Sequence, residues 1–143
     1  MAISYSAEFA GIASLPAVKP SSPGGVGARV RRYRGTHTLA TQLITDTLFI
    51  TQLPAGAVFA YGVMTASVSL ATSTLAIGIA GTAGKYRAAA VFTAVDTPTL
   101  FGPATILGTQ TPLAASEDII GTIAVASLPA AGTLVIDMYM STG

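Results

Sequence analysis

The chain has 143 residues, of which 51% are hydrophobic, 9% are charged and none is cysteine. The lack of cysteine excludes a disulfide framework, thiolate metal sites and cysteine nucleophiles. A charged fraction far below the roughly 25% of ordinary soluble domains, with a net charge of +1, predicts a single domain whose surface expects protein neighbours.

Residues 1–27 read as an extended N-terminal arm. Pro16, Pro20 and Pro23 break helices and central strands, and Ser21-Ser22-Pro23-Gly24-Gly25 is loop chemistry. Isolated hydrophobic residues precede it, too many for a purely solvated tail and too scattered for a core. Two readings stand together: a disordered terminus, or an arm that docks Tyr5, Phe9, Ile12 and Leu15 on another subunit. The start lacks the basic residues and continuous apolar run of a secretory signal, so synthesis in a cytoplasm without that export route is expected.

The only concentrated charge follows, with Arg29, Arg31, Arg32 and Arg34 interleaved with Val30 and Tyr33. Such a cluster can grip phosphates or stack on bases. In a strand, however, Arg29 and Arg31 face one way and Arg32 and Arg34 the other. That split, and the few cations elsewhere, disfavour nucleic acid as a partner. A charge-protected edge strand or ion pairing to an acidic neighbouring subunit remain.

From residue 36 onward the pattern is β. Strands are expected at about 36–41, 47–53, 57–70, 74–80, 91–94, 119–127 and 133–140, at the close spacing of an antiparallel sandwich. The domain is therefore assigned to 28–143, all-β, an antiparallel β-sandwich of jelly-roll-like type behind the arm. Leu134, Ile136, Met138 and Met140 share one face of the last strand. Over 57–70 the face with Val58, Ala60, Gly62, Met64, Ala66, Val68 and Leu70 is the expected core side. The stretch 53–80 holds no charge, which raises the question of a membrane. A spanning helix needs about 20 predominantly apolar residues; here Ser67, Ser69, Thr72, Ser73 and Thr74 interrupt the run, and period-2 alternation suits a sheet. No membrane partner is expected.

Leu53-Pro54-Ala55-Gly56 and Leu128-Pro129-Ala130-Ala131-Gly132 form a faint repeat, each lying between two strand-like segments. Proline fixes φ and glycine supplies a permissive position, so each is expected to close a hairpin. Residues 84–92 fit a helical turn or a strand equally, and 96–103 read as a loop with a buried Leu100-Phe101 anchor.

Chemistry-bearing residues are sparse. His37 is the single histidine and stands in a strand between Thr36 and Thr38, without the companions that a metal site requires. Glu117 and Asp118 adjoin, but in a strand they point to opposite faces and make a poor acid–base pair. Gly81-Thr82-Ala83-Gly84-Lys85 lacks the spacing and the hydroxyl of a phosphate loop. No catalytic, cofactor or metal residue is assigned, and no cofactor is expected.

Taken together, Leu53-Pro-Ala-Gly-Ala-Val-Phe, Ser67-Val-Ser-Leu, Ala76-Ile-Gly-Ile-Ala, Gly84-Lys-Tyr-Arg-Ala-Ala-Ala, Asp96-Thr-Pro-Thr-Leu-Phe-Gly and the closing Ala126-Ser-Leu-Pro-Ala-Ala-Gly-Thr-Leu-Val-Ile-Asp resemble small structural proteins encoded near the capsid genes of tailed bacteriophages. The resemblance spans roughly residues 29–140 and leaves the arm uncovered. It implies a capsid decoration (cement) protein: an all-β module, often trimeric, seated on the outside of the assembled head, clamping neighbouring capsomers, with no enzymatic role. The implied partners are the major capsid protein and further copies of the chain, and the implied location is the virion. A tail or fibre component, or a carbohydrate-binding sandwich, are the alternatives.

Overall fold

The computed structural model describes residues 28–102 and 111–142. Eight strands run through them: β1 (Arg29–Thr38), β2 (Thr47–Leu53), β3 (Val58–Ala66), β4 (Thr74–Ile79), β5 (Thr82–Val91), β6 (Thr99–Phe101), β7 (Glu117–Ala124) and β8 (Thr133–Thr142). They form two four-stranded sheets, ordered β1-β8-β3-β6 and β2-β7-β4-β5, with every ladder antiparallel. That strand order is the double-sheet jelly roll, and the expected all-β antiparallel sandwich is what the chain forms.

The core lies between the sheets and follows from alternation. Leu134, Ile136, Met138 and Met140 point inward from β8 and are fully buried, facing Leu75, Ile77, Ile119 and Ile123 of the second sheet. Each such side chain contributes about 1.5–3 kcal/mol when buried. Phe59 of the first sheet meets Tyr86 of the second at a centroid distance of 4.7 Å. At the corner where β1 passes β2, Gly35 permits the approach: a Cβ there would stand 2.7 Å from the Ile50 carbonyl oxygen.

The uncharged stretch 53–80 supplies β3 and β4, one interior strand for each sheet. The core face expected for it holds only in part. A register shift between Phe59 and Tyr61 opposite β8 marks a bulge, and the extra residue resets the alternation. Phe59 is therefore buried beside Val58, while Ala60 is exposed and Gly62, Met64 and Ala66 continue the inner face.

The two Leu-Pro-Ala segments are not hairpins. The first carries the chain from β2 in the second sheet to β3 in the first; the other carries it from β7 to β8, again between sheets. Leu53 and Leu128 are buried anchors, and Gly56 and Gly132 turn the chain at φ values of 81° and 127°. Turn chemistry is the same in both cases, and only the long-range pairing tells a hairpin from a crossing. The ambiguous segment 84–92 falls in the edge strand β5 and its end. Residues 99–101, expected to be loop, form the short edge strand β6, with Phe101 buried and Leu100 70% exposed. Among the described residues, no helix is long and apolar enough to cross a membrane.

Candidate assembly surface

β1 is an edge of the first sheet, and among the described residues no strand pairs with the other side of its arginine-rich half. Arg29, Val30, Arg31, Arg32 and Arg34 are all exposed. Arg34 projects from the outer face and meets Asp137 of β8 in a two-pronged pair, its Nε and Nη2 each donating at 2.7 Å to one carboxylate oxygen. Asp137 is only 6% exposed although it lies on the outer face, because the guanidinium covers it. The hydrogen bond and the charge of Asp137 raise the Arg34 pKa further. Arg34 is therefore committed within the chain.

Among the described residues, the cations outside β1 are also occupied. Lys85 pairs with Glu117, whose second oxygen accepts a 2.7 Å bond from the buried Tyr86 hydroxyl. Burial first, and then that carboxylate, push the Tyr86 pKa up. The trio ties β5 to the start of β7. Arg87 donates to the carbonyls of Leu75, Ala90 and Val91 along the edge of the second sheet. Among the described residues, Arg29, Arg31 and Arg32 alone of the cations make no ion pair or side-chain hydrogen bond.

Strand register places a row of side chains beside them. Arg32 stands opposite Tyr139, and Tyr139 opposite Tyr61. The two rings stack on the outer face, 4.7 Å between centroids and 19° between planes. Beyond Tyr61, β6 is the last strand of the sheet among the described residues, and there Tyr61, Leu100, Phe101 and Gly102 line an open hollow of about 570 Å³. Phe101 reaches inward over Gly62, where no Cβ fits. The outer face thus runs from a cationic edge, over stacked aromatics, to an apolar hollow.

Of the candidate contact residues, the structure brings Arg29, Arg31, Arg32 and Arg34 together on β1, while Tyr5, Phe9, Ile12 and Leu15 lie outside the described residues. Tyr61, Tyr139 and Leu100 were not among the sequence candidates. Alternation puts both tyrosines on outer faces, but their stacking depends on the pairing of β3 with β8. His37 is half-buried, with its Nε2 lacking a hydrogen-bond partner and its pKa lowered by burial. Glu117 and Asp118 do diverge, the first to Lys85 and Tyr86, the second to Gln52. Among the described residues, no group of three or more His, Cys, Asp or Glu is placed to hold a metal ion. The surface offers apolar area, stacking and positive charge, which are the means of binding a macromolecule.

Three solved structures, all of phage capsids, contain chains with this fold. A chain of the cyanophage Pam1 capsid asymmetric unit superposes with a TM-score of 0.68 at 18% identity, over 91% of this chain and 96% of that one. What is shared is the fold. A chain of the Ralstonia phage GP4 capsid gives 0.64 at 17% identity, over 86% and 91% of the two chains. A chain of the acid-stable capsid of the Helicobacter pylori bacteriophage KHP30 gives 0.58 at 12% identity, over 81% and 90%. No protein-family model matches the sequence, and no curated protein matches it.

Proposed function

We propose that this protein is a virion structural protein of a tailed phage, and specifically a decoration (cement) protein that binds the outside of the head and strengthens contacts between capsomers. The observation that carries the reading is the fold likeness, over nearly the whole of each chain, to chains found in three phage capsids. The sparse charge and the unpartnered cationic and aromatic face support it, since a clamp needs contact surface and no chemistry. In this reading the chain assembles as a homotrimer and binds the major capsid protein, with Arg29, Arg31 and Arg32 meeting acidic residues of these neighbours. Residues 1–27 reach along a sister copy and the shell and bury Tyr5, Phe9, Ile12 and Leu15 between them. A specific contact of this kind covers about 800 Å² per partner, and its repetition over a capsid multiplies its effect.

The test is co-sedimentation of the purified protein with heads that lack it. Saturable binding, at a stoichiometry fixed by the number of capsomers, is expected. Failure to bind heads, with binding to isolated tails instead, would replace the reading by a tail or fibre role.

A further inference from the structure

The outer face of the first sheet has a direction. Its cationic end is Arg32 on β1, its middle is the Tyr139–Tyr61 stack, and its apolar end is the hollow beside Leu100 on β6. Three strand spacings of about 4.8 Å separate the ends, roughly 14 Å in all. An extended segment that fits must carry a carboxylate at one point and a large apolar side chain about four residues away, at roughly 3.3 Å per residue.

The chain contains such a segment. Glu8 is the only acid in residues 1–27, and Ile12 follows it by four positions. An even spacing puts the two on one side of an extended chain, and leaves Tyr5, Phe9 and Leu15 on the other. Twenty-seven residues reach up to about 90 Å when extended, so the segment can leave β1 of one molecule and cross a neighbour.

We propose that the outer face of the first sheet is the docking site for the N-terminal arm of a second copy of this chain, with Glu8 of that copy on Arg32 and its Ile12 in the hollow beside Leu100. The inference rests on the self-assembly put forward above and names the surface that carries it. Tyr5, Phe9 and Leu15 then stay on the arm's far side, available to the shell. Glu8 neutralises a cation that has no ion pair among the described residues, and Ile12 covers Leu100, which is 70% exposed.

The experiment uses the full chain in the absence of particles, so that its failure is separate from any failure to bind heads. Ile12→Cys and Leu100→Cys are placed on two chains with different affinity tags, which are then co-expressed and oxidised. The chain has no cysteine of its own, so there is no background, and Leu100 is exposed enough to change without harm to the core. A disulfide joining the two tags is expected. It should be well above that formed when Val125→Cys, exposed outside this face, replaces Leu100→Cys. Glu8→Arg should lower the yield at least about threefold, and adding Arg32→Glu should restore it, the scale of one surface ion pair. No inter-tag product, an equal product from the Val125 control, or closure of a doubly substituted chain on itself without inter-chain product, would each overturn the proposal.

Discussion

The Arg34 guanidinium holds the Asp137 carboxylate through two 2.7 Å hydrogen bonds, across the strand pair β1 and β8, on the outer face of the first sheet. The pair is lopsided. Asp137 is nearly inaccessible, whereas about half of the Arg34 side chain meets solvent. Loss of the arginine removes both charge-assisted hydrogen bonds and the cover that the side chain lays over β8, and leaves the carboxylate without its partner. Arg34→Val is expected to lower the melting temperature by several degrees. Arg34→Val combined with Asp137→Val should recover most of the loss, because two apolar side chains replace two matched charges. A double variant no more stable than the single one would show that the pair contributes nothing beyond the packing of Arg34.

Phe101 and Gly62 form a second dependent pair. A Cβ at position 62 would lie 2.1 Å from Cζ of the Phe101 ring, so Gly62→Ala must unseat the ring that holds β6 to β3. Overpacking of this kind costs about 1–3 kcal/mol. In a Phe101→Ala background the same substitution should cost little, since the clashing ring is gone. Chemical denaturation of the four proteins in that cycle measures the coupling; purely additive losses would contradict it.

His37 gives the fold a pH dependence of definite sign. Burial lowers its pKa below the ordinary value of 6.5, against a smaller opposing hydrogen bond with Phe49. The unfolded chain thus takes up this proton at a pH where the folded chain still excludes it. Stability from this group is complete above about pH 6.5 and falls as the pH drops towards the folded pKa. His37→Gln should flatten that part of the profile. Melting temperatures of both proteins, measured between about pH 7.5 and 5, should converge on acidification; parallel curves would contradict the assignment.

Removal of residues 1–27 separates folding from attachment. The eight strands and a continuous buried core lie within residues 28–102 and 111–142. The truncated chain is expected to keep its β-rich circular dichroism and cooperative melting, and to lose binding to heads. Binding at full strength by the truncation would remove the arm from the account.

How much of this was legible in the sequence depended on the range of the interaction concerned. Period-2 alternation at Leu134, Ile136, Met138 and Met140 is local, and it located the inner face of β8 correctly. The bulge at Ala60 defeats the same rule, because one extra residue on β3 shifts Phe59 inward and is visible only against β8. Leu-Pro-Ala followed by a glycine marked both connections, but whether β2 turns back on itself or crosses to the other sheet is decided by its partner, β7. The arginines were evident as a cluster. That Arg34 is withdrawn from it by Asp137, over a hundred residues away, was not. The Tyr61–Tyr139 stack was hidden for the same reason.

The central claim is that this chain sits on the outside of a phage head and bridges its capsomers. Electron cryomicroscopy of particles with the protein, and of the same particles depleted of it, tests that most directly. The account predicts difference density on the outer capsid surface into which the β1-β8-β3-β6 and β2-β7-β4-β5 sandwich fits, at sites between capsomers. Difference density confined to the tail, or none on the particle, would contradict it.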